Sequence, residues 1–181
     1  YQQAADQFQY IVQNYPDSRF VREASVALAR SLYNLGYYDQ AFQIVDYIER
    51  RWPRFYMEYP PILAMIGNAL VNMGKYADAR SHYWLYYNLA PSGPEAAKTL
   101  TRIGDIYMEE KNITAARQVY EEAARRFPDD DAGLVAQMRL AEEGIYDAPS
   151  IGDMFSVFDR PYSELPLQTY SRIIKEHPNS E

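Results

Sequence analysis

The 181-residue chain contains no cysteine. That excludes disulfides, a thiol nucleophile and thiolate zinc sites, and leaves the compartment open. Histidine is nearly as scarce, with only His82 and His177, in unrelated parts of the chain. No apolar run approaches the roughly 18 residues needed to cross a bilayer, so direct membrane insertion is not expected. Basic charge is short as well, 18 Lys and Arg against 25 Asp and Glu, a net charge of −7. A nucleic-acid binder normally presents a basic face and gains from counterion release. Docking on anionic lipid needs the same kind of face, so neither partner is expected. No signal peptide is visible, but the chain opens at Tyr1 in mid-motif and reads as a piece of a longer protein.

Catalytic motifs are missing too. There is no HExxH, no GxSxG and no phosphate-cradling glycine loop. Glu109-Glu110, Glu121-Glu122 and Glu142-Glu143 are adjacent pairs. Consecutive helix positions point about 100° apart, so these pairs do not converge as an acid–base pair does. Asp129-Asp130-Asp131 lacks the alternate spacing and distal Glu of a calcium loop. It reads instead as an N-cap with favourable charge at a helix start. No catalytic, cofactor-binding or metal-ligating residue is assigned.

What the chain has in excess is tyrosine, 18 residues, mostly at repeating positions. An alanine, a bulky residue, a second apolar residue and a proline recur in that order. The copies are Ala4-Phe8-Ile11-Pro16, Ala41-Val45-Ile48-Pro53, Ala79-Tyr83-Tyr86-Pro91 and Ala116-Tyr120-Ala123-Pro128. The offset from alanine to proline is identical in all of them, and the prolines recur at a nearly constant period. A second signature precedes the later copies: Leu28-Ala29 with Leu32, Ile66-Gly67 with Leu70, and Ile103-Gly104 with Tyr107. Its small residue precedes the motif alanine by that same offset.

This pattern predicts a helical hairpin. The small residue on the first helix and the alanine on the second sit where two backbones approach closely, and bulky residues three, four or seven along fill the seam. Gly36 and Gly74 lie in the turns, where the left-handed conformation ends a helix. Proline then stops the second helix. Tyr38, Tyr76, Tyr83, Tyr86 and Tyr120 fall on seam positions. Tyr15, Trp52 and Phe127 directly precede a repeat-ending proline and are expected to pack under the next hairpin.

At these residues the chain resembles the tetratricopeptide repeat family, whose motif places small, aromatic, alanine and proline positions in this order. The resemblance covers nearly the whole chain. It implies an all-α fold, an α-solenoid of antiparallel helix hairpins with about nine helices, spanning residues 1–181. The repeats are read as 1–16 (second helix only), 17–53, 54–91, 92–128 and 129–178. The period runs three to four residues beyond the family's consensus of about 34. The phrase Tyr15-Pro16-Asp17-Ser18 followed by Glu23-Ala24 is similar to repeat proteins of the bacterial envelope, which points to a periplasmic or envelope-associated host; the cytoplasm is the alternative.

The last repeat departs from the pattern. Leu140-Ala141 and then Tyr170, Ile173 and Pro178 are in register, but an insertion lies between them, within residues 144–166. Three prolines and two glycines there rule out one continuous helix. Phe155 and Phe158 are expected in a short apolar turn and are candidate accessory contacts. The stretch from Asp129 to Ser163 carries eight acids against Arg139 and Arg160, so it holds most of the net charge.

In a tetratricopeptide array the first helices line the concave surface. Here that face would carry Arg30, Tyr33 and Asn34, then Asn68 and Asn72, then Lys98, Arg102 and Asp105. It is the expected groove for a peptide or partner protein, since solenoids commonly bind there. Lys98 and Arg102 resemble two basic positions of a carboxylate clamp. The other clamp positions hold Val26, Arg30 and Met65, which depart from the clamp pattern. Trp84 lies beside the seam residue Tyr83 and should point to the convex side as an accessory contact, or pack on Tyr87 or Arg80. The expected function is a non-catalytic protein–protein interaction scaffold within a larger protein. The alternatives are a structural module with some end-to-end self-association, and an accessory domain of an enzyme whose catalytic part lies elsewhere.

Overall fold

The computed structural model describes residues 1–141 and 167–178. Every regular element among them is a helix, ten in all, packed in adjacent pairs as helical hairpins. The chain divides into two compact units, Tyr1–Leu89 and Ala90–Glu181. The first holds α1 (Gln2–Asn14), α2 (Val21–Asn34), α3 (Tyr38–Arg51), α4 (Phe55–Glu58), α5 (Pro61–Asn72) and α6 (Tyr76–Leu89). The second holds α7 (Ala96–Glu109), α8 (Ile113–Arg126), α9 (Asp131–Ala141) and α10 (Leu167–Glu176). The short α4 is the helix that raises the expected nine to ten. It forms from residues that lengthen the repeat after Pro53.

The hairpins α2–α3, α5–α6 and α7–α8 close on their seams as the spacing predicts. Ala29, Ala41, Val45 and Ile48 are buried in the first, Ile66, Ala79, Tyr83 and Tyr86 in the second, and Ile103, Ala116, Tyr120 and Ala123 in the third. Within the first unit, Ala5, Leu28, Leu32 and Ala41 form a core joining α1, α2 and α3, flanked by Phe8, Val12 and Ile44. Burying each of the larger apolar side chains contributes about 1.5–3 kcal/mol. Within each unit the helices bury their faces against one another, so that stabilisation is distributed over the unit.

The small positions match the size of what faces them. A Cβ on Gly67 would lie 2.3 Å from Tyr83 Cε1, and one on Gly104 would lie 2.4 Å from Tyr120 Cε1. Each tyrosine ring therefore sits close against the first-helix backbone, where only glycine leaves room. In α2–α3 the equivalent pair is Ala29 and Val45, and a smaller second-helix residue accompanies a Cβ on the first helix.

All three turns share one hydrogen-bond pattern. Tyr37 N donates to Leu32 O and Gly36 N to Tyr33 O. Lys75 N and Gly74 N repeat this on Leu70 O and Val71 O, and Asn112 N and Lys111 N on Tyr107 O and Met108 O. This double closure satisfies the last carbonyls of the first helix and needs a left-handed residue. Gly36 and Gly74 supply it at φ 81° and 71°, but the third turn uses Lys111 at φ 58°. A non-glycine residue held there is strained by about 1 kcal/mol. Lys111→Gly is accordingly expected to stabilise the chain by about 0.5–1 kcal/mol, visible as a higher urea midpoint; an unchanged or lower midpoint would contradict the strain assignment.

Two further expectations near the repeat ends resolve differently. Trp52 and Phe127 are half-buried, whereas Tyr15 is 54 % exposed and meets Tyr10 edge-on at 5.9 Å. Trp52 is held by Tyr47, 6.0 Å away, and by the Arg51 guanidinium 5.3 Å from its ring. The acidic run does act as a cap: Asp130 Oδ1 accepts from Ala132 N at 2.9 Å at the start of α9.

Candidate functional site

In the first unit α2 and α5 lie side by side. Their apolar stripes turn inward, burying Val21, Leu28 and Leu32 on α2 and Ile62, Leu63, Ile66 and Leu70 on α5. The polar residues left over fall on the outer face by the helical period. Arg30 and Asn34 on α2 and Asn72 on α5 are exposed, while Tyr33 and Asn68 are half-buried.

These side chains differ in how far they are engaged. The Arg30 Nη2 donates to Tyr59 Oη at 2.5 Å, and Tyr33 packs on Tyr38 at 5.3 Å. Asn68 Oδ1 accepts from Tyr83 Oη at 2.6 Å, so it anchors the seam tyrosine. Asn72 Nδ2 donates to Asn68 O at 2.9 Å, and the residue is exposed. The Asn34 side chain makes no hydrogen bond to any described residue. Asn34 and Asn72 occupy the same place in successive first helices, each closing its helix two positions before the turn glycine. A primary amide carries one acceptor and two donors, the complement of a peptide group.

A neighbouring element is one the repeat pattern did not single out. Arg22 Nη1 pairs with Glu58 Oε2 at 2.9 Å and lies over the Phe55 ring at 4.9 Å. Phe55 stacks on Tyr59 at 5.8 Å. The turn of α4 is thus fastened to α2 by Arg22 and Arg30 together. The signal available in the sequence was the additional length after Pro53 and its run of aromatics.

The second unit treats the matching face differently. Lys98 is half-buried, but Arg102 is 2 % exposed and Asp105 is fully buried. Asp105 Oδ1 accepts from Tyr120 Oη at 2.6 Å and from Arg139 Nε at 3.3 Å. Thr101 Oγ1 donates to Ala132 O at 2.9 Å. Helix α9 therefore covers the side of α7 that carries Thr101 and Asp105, and a carboxylate joins α7, α8 and α9. Arg102 and Asp105 are interior residues here, and only Lys98 of the three residues expected on this face reaches the surface in part. Asp105 repeats Asn68 with charge, since each stands at the same offset before the tyrosine it accepts from.

The accessory positions are divided. Trp84 is half-buried and meets Tyr87 edge-on at 6.0 Å, the packing named above as its alternative. Phe155, Phe158 and the inserted segment lie outside the described residues. His82 Nδ1 lies 2.8 Å from Asp78 O on its own helix, and His177 Nδ1 lies 3.9 Å from Asp129 Oδ1. Among the described residues, no three His, Asp or Glu side chains gather as a metal site would require. No described helix is long and apolar enough to cross a membrane.

No curated protein matches the chain. A tetratricopeptide repeat family model matches residues 64–131, from within α5 to the first residue of α9. With the paired helices, this supports a tetratricopeptide family, whose repeats generally mediate protein–protein interaction and are typically non-catalytic.

Proposed function

We propose that the chain is a non-catalytic scaffold that binds an extended peptide or a partner protein along the outer face of its first helices. The observation that supports this most is the pair Asn34 and Asn72, both exposed at equivalent positions of α2 and α5. A ligand lying across both helices could exchange peptide-group hydrogen bonds with each amide in turn. Arg30 and Tyr33 beside them would add a charge-assisted bond and a ring face. The Tyr15-Pro16-Asp17-Ser18 phrase leads us to place the protein in the bacterial envelope.

The test begins with a displayed peptide library selected against the whole chain, followed by titration of the best peptide. Asn34→Ala/Asn72→Ala is expected to weaken that peptide at least about tenfold, the loss of one or two net hydrogen bonds. Thermal stability should change little, since both side chains are exposed. Undiminished affinity would remove the asparagines from the site, and selection of no peptide would favour a structural module.

A further inference from the structure

A cleft of about 300 Å³ lies in the first unit between the α1–α2 loop and the end of α3. Its lining includes Asp17, Arg19, Val21, Arg22, Arg51 and Trp52. Three arginines and one aspartate line it, in a chain whose net charge is −7. That reversal of sign is local and is unrelated to the asparagine face.

The three arginines are committed to different degrees. Arg22 is divided between Glu58 at 2.9 Å and Glu23 at 3.4 Å. Arg51 donates from Nη2 to Pro16 O at 2.8 Å and from Nη1 to Tyr47 Oη at 3.0 Å. It reaches Asp17 Oδ1 only at 3.6 Å, and that aspartate side chain is 99 % exposed. Arg19 lies over its neighbour Phe20 at 4.6 Å and has no acid within 4 Å among the described residues. Beside them Trp52 supplies a ring already polarised by the Arg51 guanidinium. A carboxylate entering the cleft would find unused N–H donors on Arg19 and Arg51, in the fork geometry that suits it. An apolar side chain next to that carboxylate would rest on Trp52.

We propose that this cleft is a second binding site and takes an acidic peptide segment, an aspartate or glutamate flanked by an apolar residue. The cleft is too narrow a basic patch for a polyanion such as nucleic acid, or for an anionic membrane. It tolerates a short segment with one or two carboxylates held at close range. The site stands apart from the asparagine face, and either can fail without the other.

The probe is an acetylated, amidated Asp-Leu-Asp tripeptide, titrated into the whole chain carrying Trp84→Phe so that Trp52 is the sole tryptophan. Saturable change in Trp52 fluorescence is expected. It should weaken at least about tenfold in Arg19→Ala, and by a similar factor when the tripeptide is Asn-Leu-Asn, because charge-assisted bonds are lost in both cases. Arg19 is exposed and lies over Phe20, so its removal is expected to leave the fold intact; Arg51→Ala is avoided because it also severs the bond to Pro16. A parallel titration with inorganic phosphate separates peptide recognition from simple anion capture. Absence of a saturable change would overturn the assignment. So would equal binding of the asparagine peptide, indifference to Arg19→Ala, or binding of phosphate without binding of the peptide.

Discussion

Asp105→Ala is expected to destabilise the second unit by about 3–5 kcal/mol, the usual consequence of removing one partner from a buried ion pair. The carboxylate is fully buried and joins Tyr120 on α8 to Arg139 on α9. Alanine there leaves a phenol without its acceptor and takes from a buried guanidinium the carboxylate it faces. Asp105→Asn should cost less, about 2 kcal/mol. An amide can still accept from the tyrosine, as Asn68 does from Tyr83, and what is lost is the charge facing Arg139. Amide hydrogen exchange across α7, α8 and α9 is the appropriate measurement, because it reports the unit rather than the whole chain. Glu121→Gln on the exposed face of α8 is the control and should stay within about 0.5 kcal/mol. If Asp105→Ala fell in that range as well, the three-helix junction would have no energetic role.

Gly67→Ala is expected to cost the first unit about 2–4 kcal/mol, from overpacking and from displacement of a bonded tyrosine. The added methyl would stand 2.3 Å from the Tyr83 ring, far inside van der Waals contact. Moving the ring also breaks the Tyr83–Asn68 bond. The first hairpin suggests a remedy, since Ala29 there faces Val45. In a Tyr83→Val background, Gly67→Ala should be neutral or stabilising by up to about 1 kcal/mol, the helix propensity of alanine over glycine. The double-mutant cycle should therefore show coupling of at least about 2 kcal/mol. Urea unfolding followed by Trp52 and Trp84, both in this unit, gives the numbers, and additive effects would contradict the size-matching of the two seams.

Much of this architecture is legible in the residues because close helix approach restricts side-chain size. Alanine or glycine at Ala29, Gly67 and Gly104, answered at one fixed offset by Ala41, Ala79 and Ala116, has few explanations other than a tight seam. The prolines fix where second helices end, and Gly36 and Gly74 fix two of the three turns. Lys111 escaped because nothing in a lysine announces a positive φ; the hairpin geometry imposes it. Arg102 and Asp105 were expected on an open face because counting turns along one helix places polar residues outward. That count cannot see Arg139 arriving from another helix far along the chain. The spacing shared by Asn68–Tyr83 and Asp105–Tyr120 was the available clue to an interior pair. Arg22, Glu58 and Tyr59 were missed because they belong to the length added between repeats, where no periodic pattern marks them.

The most direct test of the central claim is hydrogen–deuterium exchange of the whole chain with and without a peptide selected by display. The account predicts slowed exchange in α2 and α5, around Asn34 and Asn72, with the second helices α3 and α6 unchanged. Protection confined to α3 and α6, leaving α2 and α5 as they were, would contradict it.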